Sequence, residues 1–457
     1  MKIRIIAVVL LTALLLAGCS KSGPDINALP ELETHPASLQ KPSGSYSQPE
    51  PVLIYEEILR GGVTFSLYED GRLVLSGSDI LESIVDTQAF KTYKDSITII
   101  EIGSGVKLIG EKVFTKADKV QKVVIGDSVE KIEYYAFANC TELMQVDFGE
   151  GLTHIADYAF SGCTKLTDVN LGGNINTIGE YVFSGCTGLR NAILGSNIHK
   201  LGNCIFDGCT SLTSLRIGCN VSTAALSNNT KLVSVVLEDT VEILESRAFS
   251  GCSELQNVTY SQNLKTIGDY AFSDCTKLRE AILPDSVTQI GDRVYSGCTS
   301  MVTAKIGPNV LSMGELLFAG CKELRSLECH SSIGFASFKD CEALESVQLN
   351  SSVLHIGEQA FYGCKKLLEV TLPEGILTIG SRAFYNCETM RKLSLPGSLT
   401  EVGSEFFYGT PELKTIYYNG SSGQWGLVKK EDNWSKNIPG GITWINDFEV
   451  KSPQKED

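Results

Sequence analysis

The residues of this chain best suited to chemistry are its fifteen cysteines and five histidines. Clustered they would hold zinc, and paired they would form disulfides. Their spacing argues against both. Eleven cysteines recur at a nearly constant interval: Cys140, Cys163, Cys186, Cys209, Cys252, Cys275, Cys298, Cys321, Cys341, Cys364 and Cys387. Ala117, Asn229 and Thr410 stand at the same place in other units. A slot that accepts Cys, Ala, Asn and Thr selects a small side chain with a weak hydrogen-bonding capacity. If such units stack as strands, successive Cβ atoms lie about 4.8 Å apart and point the same way. A disulfide needs about 3.8 Å with converging vectors, and parallel thiols do not converge tetrahedrally on a metal. The ladder is therefore expected to stay reduced. Cys204, Cys219 and Cys329 are scattered, and Cys329 stands where strands usually end in Leu.

The histidines add little. His35 falls in a proline-rich stretch, His154 and His355 occupy equivalent turns many units apart, and His199 and His330 lie on other turns. None has a partner at ligand spacing. No Gly-x-Ser-x-Gly elbow, phosphate loop or paired-carboxylate constellation occurs. Gly103-Ser104-Gly105 opens a glycine pattern, but no helix follows it. The expectation is a protein that is not an enzyme and needs no metal or cofactor. The formal net charge of -15 over 457 residues makes nucleic acid a poor partner.

What positions these residues is a repeat. Ile155-Ala156-Asp157-Tyr158-Ala159-Phe160-Ser161-Gly162-Cys163-Thr164-Lys165-Leu166 returns as Ile267-Gly268-Asp269-Tyr270-Ala271-Phe272-Ser273-Asp274-Cys275-Thr276-Lys277-Leu278. The aromatic position runs through 15 anchors from Phe90 to Phe407, with Leu226 and Tyr295 as variants. Steps between anchors are about 23 residues, the scale of a stacking repeat unit. One step, from Phe90 to Phe114, is a residue longer, and two are three residues shorter, from Phe206 to Leu226 and from Phe318 to Phe338. Each unit continues Leu-x-x-Val-x-Leu, whose last three positions alternate with strand periodicity. One unit cannot bury its apolar side chains alone, whereas stacked units can. Fifteen turns at strand spacing would make an arc of about 70 Å. In the two short units the gap falls just before the Ile-Gly turn, opposite the strand, where a local pinch is expected.

The pattern Ile-Gly-x-x-Ala-Phe-x-x-Cys-x-x-Leu-x-x-Val-x-Leu-Pro resembles the leucine-rich repeats of BspA-like bacterial surface proteins. That resemblance implies a mainly β, leucine-rich-repeat solenoid of α/β type. It would be curved and right-handed, with one short parallel strand per unit of about 23 residues, and with short helical or irregular turns on the convex side. It covers residues 90–418. Gly62 to Gly77, two alternating runs around Asp70-Gly71, reads independently as a hairpin and resembles the cap that precedes the repeats in that family. The cap is assigned to 52–89. Leu413 to Gly420, with Trp425 downstream, resembles the family's closing segment, and 419–457 is read as a C-terminal cap and tail.

The first residues read as an address. Lys2 and Arg4 precede the apolar run Ile5 to Ala17, too short to span a bilayer but suited to a secretory signal. The run ends Leu16-Ala17-Gly18-Cys19, which resembles a bacterial lipoprotein signal, so 1–18 is read as the signal peptide and Cys19 as the lipidation site. Residues 19–51 hold six prolines and read as an extended tether. Together these place the protein in the bacterial cell envelope, lipid-anchored and facing outward or into the periplasm.

The remaining surface of interest is the strand face. Its outward positions include Asp147, Asp168, Asn170, Arg216, Asn257, Thr259, Glu280, Lys305, Glu328, Gln348, Glu369 and Lys392, interrupted by Val124, Ile193, Val236 and Ile282. An extended, mixed-charge concave sheet suits an extracellular protein ligand, and the resemblance implies non-catalytic binding such as adhesion. Glycan capture is the alternative. Sugars need aromatic faces, so it would use Tyr417, Trp425, Trp434 and Trp444 near the C-terminus.

Overall fold

The structure, a computed structural model, describes residues 51–435 other than 78 and 83, together with 443–445. The signal peptide, Cys19 and nearly all of the tether lie outside these residues, as does much of the segment after 435.

One turn shows how the sequence makes the fold. Phe160, Cys163, Leu166, Val169, Leu171, Ile175, Ile178 and Val182 are all buried before the next anchor, Phe183. Their spacing switches from irregular to alternating at Asp168–Leu171, a strand with exposed and buried residues in turn. That strand pairs in parallel with Asn191–Leu194 of the next turn, Val169 opposite Ala192 and Leu171 opposite Leu194. A second strand, Thr177–Ile178, pairs with Lys200–Leu201. Most turns thus carry two strands, where the sequence indicates one. The second spans only a pair of residues, too brief to leave an alternating signature.

The third side of the turn is not helical. Among the described residues the only α-helices are α1 (Gln88–Tyr93), which carries the first anchor Phe90, and α2 (Ser422–Leu427), which follows the last anchor. Instead, the N–H groups of Tyr158, Phe160 and Gly162 donate to the carbonyls of Glu180, Val182 and Ser184 in the next turn, at 3.0, 3.0 and 2.7 Å. Tyr158 and Gly162 have φ of 57° and 76°, in the left-handed region. The slot just before the cysteine is filled by Asn139, Gly162, Asp274 and Asn386 among others, residue types that enter that region at least cost. The Ile-Gly pair has a different reason. A Cβ on Gly291 would lie 2.6 Å from the Asp269 nitrogen of the turn beneath.

The anchors form the core's spine. From Phe114 to Phe206, neighbouring rings stack at 5.0 to 5.8 Å between centroids. The stack resumes at Phe249 and runs through Tyr295 to Phe384. The cysteine slot completes it. The Cys275 thiol donates to the Phe249 carbonyl of the preceding turn at 3.3 Å, and the other ladder thiols repeat this bond at 3.2 to 3.3 Å. Asn229 and Thr410 meet the need differently, each donating to the anchor carbonyl of its own turn. All the described cysteines are free thiols.

The two short units keep the long strands in register, Ser214 opposite Ser234 and Ser326 opposite Ser346. What they lose is the short-strand row. It stops at Lys200–Leu201 and again at Ser312–Met313, and restarts through the single bridges Val221 to Leu244 and Ile333 to Ile356. Cys219 and Cys329 are buried in these two units, where a shorter turn has less room to fill. Leu226 and Phe338, which close the units, stand five turns apart. Phe148 and Tyr260 share that spacing. Each places a ring edge-on against an anchor, Phe160 and Phe272 respectively, and the long-strand row breaks after each. A third break, after Leu349, has no such ring, and nothing in the structure explains it.

Both ends are closed by added strands. β1 (Leu53–Ile58), β2 (Val63–Tyr68) and β3 (Arg72–Gly77) form an antiparallel meander, and β3 starts the parallel row by pairing with Ile99–Ile102. At the other end Lys429–Lys430 continues the short row and Thr443–Ile445 the long one. The Glu431 carboxylate accepts from the Ser381 hydroxyl and the Ser404 N–H, bonds that hold its acidity above that of an ordinary glutamate.

Candidate interaction face

The long strands alternate, so half of their side chains form an exposed face. The twelve predicted face residues all lie on it, exposed or half-buried, spread over four successive sheets. Asp147 belongs to the first sheet. Asp168, Asn170, Arg216, Asn257 and Thr259 belong to the second. Glu280, Lys305, Glu328 and Gln348 belong to the third, and Glu369 and Lys392 to the fourth.

Many of these charges are satisfied by the neighbouring turn. Lys122 Nζ lies 2.8 Å from Asp147, and Asn191 donates to Asp168 at 2.8 Å. Arg216 pairs with Glu238 at 2.8 Å. Glu328 bridges Lys305 at 3.1 Å and His330 at 3.0 Å, and the Lys305 hydrogen bond holds its carboxyl below the usual range. Lys392 Nζ sits 4.8 Å from the Tyr417 ring centre. Neutral residues stand between these charges. One column runs Asn191, Ser214, Ser234, Asn257, Glu280 and Thr303, and the next Ile193, Arg216, Val236, Thr259, Ile282 and Lys305, with Ile282 46% exposed.

The five-turn period reaches the face only in part: Ser214 and Ser326, Ser234 and Ser346, and Thr259 and Thr371 repeat there, but the charges do not. Arg216 and Glu328 stand at equivalent places five turns apart on the face and differ in sign, as do Glu280 and Lys392.

The aromatic residues near the C-terminus do not make one platform. Trp425 and Trp434 are half-buried against the core and meet edge-on, 5.6 Å apart at 66°. Trp425 also packs against Tyr418 at 5.0 Å, and Lys430 Nζ covers its ring at 4.7 Å. Tyr417 stands on the strand face instead. The backbone of Trp444 pairs opposite Ile416. Two tyrosine stacks escaped sequence reasoning. Tyr135, Tyr158 and Tyr181 stack at 4.9 and 5.1 Å, and Tyr362, Tyr385 and Tyr408 at 5.0 and 4.9 Å. Their recurrence once per unit is the signal that marks them. With rings stacked along the solenoid, their inner faces are covered, so they fasten turns together and offer no flat surface to a sugar.

Among the described residues no three His, Cys, Asp or Glu side chains converge on a metal-sized site. No helix among them is long and apolar enough to cross a membrane.

Parallel strands at a constant period, stacked anchors and a filled core define a leucine-rich-repeat solenoid. The sequence profile of the BspA type leucine rich repeat region matches residues 83–213, 219–333 and 329–426, so the chain belongs to that family. A leucine-rich repeat protein from Bacteroides ovatus is similar in structure, with 25% identity, a TM-score of 0.60, and coverage of 86% of this chain and 100% of the other. A leucine rich cell surface protein from Faecalibacterium prausnitzii shares 21% identity over 84% of this chain and 99% of its own, with a TM-score of 0.32. The pneumococcal vaccine antigen PcpA shares 16% over 86% and 98%, also with a TM-score of 0.32. A comparison with curated proteins finds no match.

Proposed function

We propose that this is a lipid-anchored surface protein of the bacterial envelope that binds a folded extracellular protein through its strand face. One observation carries the choice of partner. The five-turn repeat is broken on the face at its charged positions: Arg216 and Glu328, or Glu280 and Lys392, reverse charge across equivalent turns. A polymer of identical sugars is best matched by identical side chains at regular intervals, whereas a protein surface is irregular. The packing of Trp425 against Tyr418, Lys430 and Trp434 also weighs against glycan capture there. Membership of a leucine-rich-repeat family fits binding without turnover. Anchorage rests on the Leu16-Ala17-Gly18-Cys19 run.

The test uses cells displaying the full chain. Cys19→Ala should abolish incorporation of a clickable fatty acid. Ile282→Arg should abolish adhesion to protein-coated surfaces while leaving the circular dichroism spectrum unchanged. Saccharide binding that is lost on Trp425→Ala, with Ile282→Arg silent, would replace this reading with the glycan one.

A further inference from the structure

The sheet that carries the strand face is unfinished at its first edge. β1 pairs with β2 on one side, and among the described residues no strand pairs with the other. Leu59 donates to the Val63 carbonyl at 2.7 Å, and Glu57 and Tyr55 stand opposite Phe65 and Leu67. In an antiparallel ladder alternate residues face the partner, so the N–H and C=O groups of Glu56 and Ile58 face outward. Side chains along this edge are unusually apolar and open, with Val52, Leu53, Ile54 and Ile58 at 58, 45, 50 and 73% exposed. Natural edges are ordinarily blunted, because such a row of donors and acceptors recruits another strand.

The edge has a sign. Residues 51–70 hold Glu56, Glu57, Glu69 and Asp70 against the single cation Arg60. The Glu56 carboxylate accepts from the Ser66 hydroxyl of β2, and the Glu57 carboxylate from the Tyr55 hydroxyl of β1 itself. A second copy of β1 would bring like charges together. The segment upstream has six prolines between 20 and 51, each lacking an N–H for a ladder.

We propose that β1 accepts an extended segment of another polypeptide as an added strand, one in which cationic side chains alternate with apolar ones. The added strand would lengthen the sheet of the strand face, yet the proposal stands apart from the function proposed above, since Ile282→Arg leaves β1 untouched.

Hydrogen exchange on the full-length protein tests it, with an eight-residue Lys/Val alternating peptide as the probe. The peptide should slow exchange at the Glu56 and Ile58 amides and leave the Tyr55 and Glu57 amides unchanged. A Glu/Val peptide should bind roughly two- to fivefold more weakly, as expected for one exposed ion pair, because Glu56 and Glu57 point to opposite faces and the lysines share one. Ile58→Pro removes an outward N–H that bonds to no strand among the described residues, a position where proline is tolerated. It should keep the fold, read by circular dichroism, and lose the protection. Three results would overturn the proposal. These are no protection at millimolar peptide, equal binding of the two peptides, or protection that grows with protein concentration in the absence of peptide, which would make a second copy the occupant.

Discussion

Tyr260 and Tyr295 place two hydroxyls inside the core, and their energetics follow from the geometry. Tyr295 takes the anchor position and is 0% exposed, stacked between Phe272 at 5.4 Å and Phe318 at 5.1 Å. Tyr260 ends its strand where other turns have Leu, and is 9% exposed. Their oxygens lie 3.0 Å apart. A buried hydroxyl deprived of its partner loses about 1–3 kcal/mol, whereas replacing both partners by apolar groups of similar shape is nearly neutral. Tyr260→Phe strands the Tyr295 hydroxyl in a site closed to water, and should cost near the top of that range. Tyr295→Phe restores the anchor found elsewhere and leaves the Tyr260 hydroxyl closer to solvent, so it should cost about 1 kcal/mol. The double variant should return to within about 0.5 kcal/mol of the parent. Because solenoids do not always unfold in one step, urea denaturation should be paired with exchange of the Phe272 amide, which bonds to the Val294 carbonyl. A double variant less stable than either single one would refute the coupling.

Alkali should unfold this protein steeply. Burial pushes up nine of the eleven ladder thiols, together with Cys219 and Cys329, with Cys219, Cys252 and Cys329 raised to about 12. The folded state keeps these protons while the unfolded state releases them above about pH 8.5, so stability is complete below that pH and is lost as pH rises toward the folded values. Each thiol contributes a slope of about -1.4 kcal/mol per pH unit, and Cys275→Ala should remove one such increment in urea titrations between about pH 9 and about pH 11. Stability that stays flat to about pH 10 would contradict a protonated ladder. Thiol labelling of the native protein should modify Cys204, which is half-buried, well before the buried cysteines, as mass spectrometry of the labelled peptides would read. Phe272→Ala empties a ring stacked on both sides and should cost about 3–5 kcal/mol by thermal or urea unfolding.

Some of this was legible in residue order and some was not. Phe, Cys and Leu return at one period because each turn buries them at the same depth, so the solenoid and its thiol ladder could be read from spacing alone. The Gly, Asn and Asp residues before the cysteines carry the left-handed backbone, a signal present but unused. The slot of Tyr158 is equally left-handed yet takes Arg247, Tyr270 and Leu316, so composition hides it. The second strand, as at His154–Ile155, is too short to alternate. β1 was missed because Leu-Ile-Tyr-Glu-Glu-Ile shows no period of two. The face residues were found, since alternation places them outward. Their pairing was not, because Lys122 with Asp147, or Arg216 with Glu238, depends on which turns are adjacent.

The strand face is the centre of this account, and site-specific photo-crosslinking on intact cells examines it most directly. A benzophenone amino acid replaces Thr259 or Ile282 on the face, or Leu311, exposed beside the short-strand row. The account predicts protease-sensitive adducts to another protein from positions 259 and 282 and none from 311. Adducts from 311 alone, or carbohydrate adducts from the face positions, would contradict it.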